Sequence, residues 1–118
     1  MVFAIIVIVV VGSDFGRTPH YNNDNGKDHW PIGSVIVMER NAVWGNRVVG
    51  VTDGGHNAHL INPTTLQRDD SGGTIIYPKH IHKALRRHLG LENTVTDANF
   101  RFDATEDFDF FNPSLATT

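Results

Sequence analysis

The sequence predicts an α/β domain of few strands and one clear helix, part of a three-layer α/β/α arrangement. Three observations predict it. Residues 1–11 are almost wholly apolar and run straight into Gly12-Ser13-Asp14. Residues 78–89 have helical periodicity between a leading Pro78 and a closing Gly90. No second segment of that quality follows, so a strand apolar on both faces finds only one helical partner within the chain.

The apolar run is too short for a membrane-spanning helix, which needs roughly 18 or more such residues. It has neither the basic start nor the small-residue cleavage site of a secretory leader. Its Val and Ile residues favour a strand, buried on both faces as in a parallel sheet. Residues 12–33 follow as a long polar loop rich in Gly, Asn and Pro, and loops of that length are usually functional or disordered. Residues 34–38 read as a second strand, 46–52 as a weaker third bounded by Gly45 and Gly50, and 59–61 as a short fourth. Residues 62–77 read as a loop with its tip at Asp69-Asp70-Ser71-Gly72-Gly73.

In the helix, Pro78 suits the first turn, where its missing N–H leaves no bond unmade. Ile81, Leu85 and Leu89, with Ala84 beside them, form the expected apolar stripe. Arg86, Arg87 and His88 place positive charge at the C-terminal end, and Gly90 takes the left-handed cap. Residues 1–93 are thus read as a partial α/β domain, and 94–118 as an irregular acidic and aromatic extension that docks through its Phe residues.

Composition narrows the function. The chain has 118 residues, 11 of them Gly, and 40 % apolar content, which implies a thin core with long loops. A net charge of −3 without a run of like charges points to no nucleic acid and no membrane surface. The lack of Cys excludes disulfides, thiolate metal sites and thiol nucleophiles.

The chemistry concentrates in Ser13-Asp14-Phe15-Gly16-Arg17-Thr18-Pro19 and Gly26-Lys27-Asp28-His29-Trp30-Pro31. Asp14 follows a strand, and open α/β sheets bind ligands just beyond the carboxyl ends of their strands. Asp14, Asp28 and His29 form an oxygen and nitrogen set suited to a divalent ion such as zinc or manganese. Arg17 suits a phosphate or sulfate oxygen pair. The same residues equally describe a capped turn braced by an Arg–Asp pair. Elsewhere, His56 and His59 read as part of a polar turn after Asp53-Gly54-Gly55. His80 and His82, two apart, point to different helix faces, and His82 is the one assigned to the site. His88 belongs to the helix end, and Trp30 and Trp44 read as packing residues. Ser13 and Thr18 lack a base at a defined offset, so no nucleophile is nominated.

The two motifs resemble a bacterial family, domain of unknown function 1501, whose members show Ser-Glu/Asp-Phe-Gly-Arg-Thr-Pro and Gly-Arg/Lys-Asp-His-Trp at similar spacing. Arg47 to Asp53, as Arg-Val-Val-Gly-Val-Thr-Asp, is similar to a further family element. The helix, with Ile81 in a Leu place and His82 after it, is similar to another. The likeness runs from about Val7 to Leu91. It implies the C-terminal portion of an alkaline-phosphatase-like domain within the alkaline phosphatase and sulfatase superfamily. Members are usually longer and often carry an export signal, so the resemblance implies an exported or periplasmic parent protein, with no targeting signal in this chain. Superfamily enzymes bind two metals through Asp and His and use a Ser or Thr nucleophile. The nucleophile and several ligands belong to an N-terminal half expected to be missing here. Asp14 then occupies the late Asp-His metal pair, with Phe15 in place of the His, so His29 has to supply the imidazole. The expected ligand is a small anionic ester, and the expected activity is metal-dependent hydrolysis of it in the full-length form. The alternatives are a non-catalytic binding protein of the same fold and a truncated product inactive by itself.

Overall fold

The computed structural model describes residues 6–102 and 106–115. Residues 1–5 of the apolar run lie outside these. Six elements follow in order: β1 (Ile8–Gly12), β2 (Gly16–Arg17), β3 (His29–Trp30), β4 (Val35–Glu39), α1 (Pro78–His88) and α2 (Val95–Asn99).

The apolar run does form a strand, but neither a parallel nor a buried one. β1 pairs antiparallel with β4, with Val10 opposite Val37. Val9, Val11, Ile36 and Met38 share one face and are each about half exposed, between 45 % and 58 %. The opposite face is covered only in part, with Ile8, Val37 and Glu39 half-buried but Val10 and Val35 47 % and 43 % exposed. The reason for the difference is composition. β-branched residues specify an extended strand locally, but burial requires a covering layer, and none of the described elements lies over this face.

The strands expected at 46–52 and 59–61 reduce to isolated bridges, Thr52 with Ala58 and Ile61 with both Arg68 and Thr74. Around Ile61 the chain doubles back on itself through Ile61 N–H to Thr74 O and Thr74 N–H to Ile61 O. The core sits here, where Ile61, Leu66 and Phe108 are buried together and Val49, Ile76, Phe110 and Leu115 pack on them. The tip at residues 69–73 forms as expected. The Asp69 carboxylate accepts from the Ser71 and Gly72 amides, the Ser71 hydroxyl and Asn62 Nδ2. These donors hold its carboxyl well down, at about 2.

Helix α1 starts and ends where its sequence says. His80 Nδ1 accepts the Tyr77 N–H at 2.9 Å, satisfying a donor before the first turn. At the other end Gly90 has φ +71°. Leu91 N–H reaches Arg86 O and Gly90 N–H reaches Arg87 O, the paired bonds of a Schellman cap. The buried face is not the expected Ile81–Leu85–Leu89 stripe. His80 and Ala84 are the buried pair, while Leu89 is 44 % exposed. The helix is turned by what packs on it, which is its own C-terminal segment. Glu106 meets His80 Nε2 at 3.2 Å, Asp107 pairs with Lys83 and Arg87, and Arg87 also donates to Phe108 O. Because His80 Nδ1 is an acceptor, Nε2 carries the hydrogen and donates to Glu106.

A second cluster ties β4 to the end of α1. Trp44 Nε1 donates to Glu39, His88 Nε2 faces both Glu39 oxygens at 3.3 Å, and His88 stacks on Phe111. The acidic and aromatic tail thus docks through Phe108, Phe110 and Phe111. It is more regular than expected, because Thr94 caps the short α2 and Arg86 pairs with Asp97. Phe100, by contrast, stays 66 % exposed.

Candidate functional site

The two motif segments fold back on each other as one small hairpin. β2 and β3 pair antiparallel with Gly16 opposite Trp30 and Arg17 opposite His29. A β-carbon on Gly16 would lie 2.0 Å from the Ile32 carbonyl oxygen, so only glycine allows this approach. The buried Thr18 closes the ladder through Thr18 N–H to Asp28 O, and its hydroxyl accepts the Asp28 amide and donates to His20 O. Asn22 organises the tip: its Oδ1 accepts from Asp24 and Gly26, and its Nδ2 donates to Asp28 Oδ1.

Strand alternation places Arg17 and His29 on one face of the ladder and Gly16 and Trp30 on the other. On the Arg17 face, Phe15 stacks on His29 with ring centroids 3.7 Å apart, and the Arg17 guanidinium lies 5.0 Å from the Phe15 ring centre. Arg17 also donates to Lys27 O at 2.9 Å. On the opposite face Trp30 Nε1 donates to His56 O at 2.8 Å. That carbonyl belongs to a tight loop gathered around Asp53, whose carboxylate accepts from the Gly55 and Asn57 amides and the Asn57 side chain. These donors, the Asn57 amide first, lower the Asp53 carboxyl below its ordinary range.

Each expected site residue has a definite place. Asp14 is exposed on a bend before β2 and carries no hydrogen bond or ion pair among the described residues. Asp28 shares one carboxylate oxygen with Asn22. His29 is exposed and rests against Phe15 rather than against Asp14. Arg17 braces the loop and stays exposed. His82 is on the exposed side of α1, its ring centre 5.7 Å from that of Phe102. The hairpin therefore brings Phe15, Arg17, Asp28 and His29 into one unit, and His82 belongs to another part of the chain.

The donor chemistry is right for a divalent ion, but the count is short. Among the described residues no three His, Asp or Glu side chains are grouped to hold a metal ion. A zinc or manganese ion of four or more ligands does not fit these residues taken alone.

Sequence reasoning missed the Trp30–His56 bond and the buried His80. Trp30 is only half-buried, and nothing in the sequence signalled that its indole N–H would meet the His56 carbonyl. No helix among the described residues is long and apolar enough to cross a membrane.

Comparison with curated proteins and with solved structures finds no match in either. The family model described as "Protein of unknown function (DUF1501)" matches residues 6–99, a stretch that contains both motif segments, the Asp53 loop, α1 and α2. The chain belongs to the DUF1501 family.

Proposed function

We propose that this chain is the C-terminal portion of a phosphate- or sulfate-ester hydrolase-like α/β domain, with Arg17 and His29 turned toward the anionic ester. Asp14 is the carboxylate offered to a divalent cation whose further ligands, like the nucleophile, come from residues outside this chain. The observation that carries the reading is the ladder register, which sets Arg17 opposite His29, both exposed on one face with Phe15 packed against each. A planar guanidinium binds two oxygens of a phosphate or sulfate at once, and a neighbouring imidazole adds a donor or a proton at neutral pH.

The test is metal analysis and ester hydrolysis on the full-length protein. Asp14→Ala is expected to lower bound zinc or manganese, and Arg17→Ala and His29→Ala to weaken phosphate or sulfate binding. Unchanged metal content in Asp14→Ala rejects the cation role.

A second reading, a binding protein that keeps the fold without the chemistry, is favoured by one feature. Phe15 covers a face of the His29 ring where the superfamily pattern has a histidine. Turnover of aryl phosphates or aryl sulfates by the metal-loaded full-length protein, abolished by Asp14→Asn, excludes that reading.

A further inference from the structure

A ladder of two residue pairs is marginal by itself. Its front face, with Arg17 and His29, is exposed and stays in one orientation only if its back is fixed. Two features fix the back. The Ile32 carbonyl crowds against Gly16 where a side chain would otherwise stand. Trp30 reaches 26 residues along the chain to His56 O.

The receiving loop is built to hold that carbonyl still. His56 has φ +58°, in the left-handed region that non-glycine residues seldom occupy. It is held there by bonds on both sides: His56 N–H to Asp53 O, Asp53 N–H to Asn57 O, and the Asp53 carboxylate beneath. His59 N–H to Val51 O closes the loop base. A phenyl or aliphatic side chain at position 30 would still pack against this loop, but only an N–H donor locks onto it.

We infer that Trp30 is a positioning residue: its bond to the His56 carbonyl anchors the back of the β2–β3 ladder, so that Arg17 and His29 hold one face toward an anionic group. The inference rests on the reading above that this face meets a phosphate or sulfate ester. Trp30 touches neither ester nor cation; it acts through Arg17 and His29.

The experiment uses the full-length protein. Inorganic phosphate and sulfate are titrated separately and followed by amide chemical shifts, and amide exchange is measured at Gly55 and Asn57. Trp30→Phe is expected to weaken anion binding by about tenfold, the scale of an outer-shell partner's loss, and to speed exchange at both amides. Arg17→Ala is expected to abolish anion binding with exchange unchanged. Replacing Trp30 by benzothienylalanine, which keeps the shape and lacks the N–H, is expected to reproduce Trp30→Phe and so separates the donor from the packing. Affinities are measured well below each variant's unfolding midpoint, so a loss of stability alone leaves them unchanged.

Unaltered exchange in both Trp30 variants overturns the anchor. Faster exchange with unaltered anion affinity overturns the positioning role. A wild-type full-length protein that binds neither anion overturns the ester-facing reading, and the exchange comparison then decides the anchor by itself.

Discussion

Gly16 illustrates how one residue sets the geometry of the motif hairpin. With no β-carbon it lets the Ile32 carbonyl approach to a distance that any other side chain would block. Gly16→Ala is expected to cost roughly 1–3 kcal/mol and to break the Gly16–Trp30 pairing. Thermal unfolding together with loss of amide protection at Thr18, whose N–H bonds Asp28 O, checks this. Asp69 makes a different kind of statement, about pH. Its carboxyl sits at about 2, below the ordinary 3.8, because amide, hydroxyl and Asn62 donors favour the charged form. Its contribution is therefore complete above about pH 4 and is lost as the pH falls from there toward 2. Denaturant unfolding at pH 5 and pH 2 should show the wild type losing stability over that window. Asp69→Asn should lose less, because it removes the titrating group.

At the scale of elements, α1 and the C-terminal segment specify each other. The helix has its own start and stop, and Gly90→Ala is expected to cost about 1 kcal/mol, because alanine is strained at a left-handed position. Urea unfolding measures it. What the helix cannot specify alone is which face is buried. Phe108 decides that, since it is fully enclosed and its ring lies 4.9 Å from that of His80. Phe108→Ala is expected to cost about 3–5 kcal/mol, a large share of the roughly 5–15 kcal/mol a domain of this class has in total. Loss of the cooperative transition, read by circular dichroism, is the expected outcome. Residues 106–115 lie beyond the family-matched stretch, yet they fill the core.

For the whole molecule, the open face of the β1–β4 pair governs behaviour in solution. Val9, Val11, Ile36 and Met38 form an uncharged half-exposed surface beside an unprotected strand edge. Such edges promote intermolecular pairing. Ile36→Lys is expected to reduce concentration-dependent association, measured by light scattering between micromolar and hundred-micromolar protein, and to leave core stability within about 0.5 kcal/mol, as for other surface changes. Equal scattering from both proteins would show that this face plays no part.

Local chemistry was legible in the sequence and long-range packing was not. The residues alone settled the strand at β1, the strand near 34–38, the boundaries of α1 and the Asp69 turn, because each depends on neighbours a few positions away. The motif segments were identifiable as the chemically rich part for the same reason. Tertiary structure decided the rest. It paired β1 antiparallel with β4, turned α1 onto His80 and Ala84, set Arg17 rather than Asp14 opposite His29, and joined Trp30 to His56. Propensity and capping act within a turn or two of chain. Which face is buried, and which donor meets which carbonyl, depends on contacts between residues far apart in sequence, and one-dimensional patterns carry no record of those.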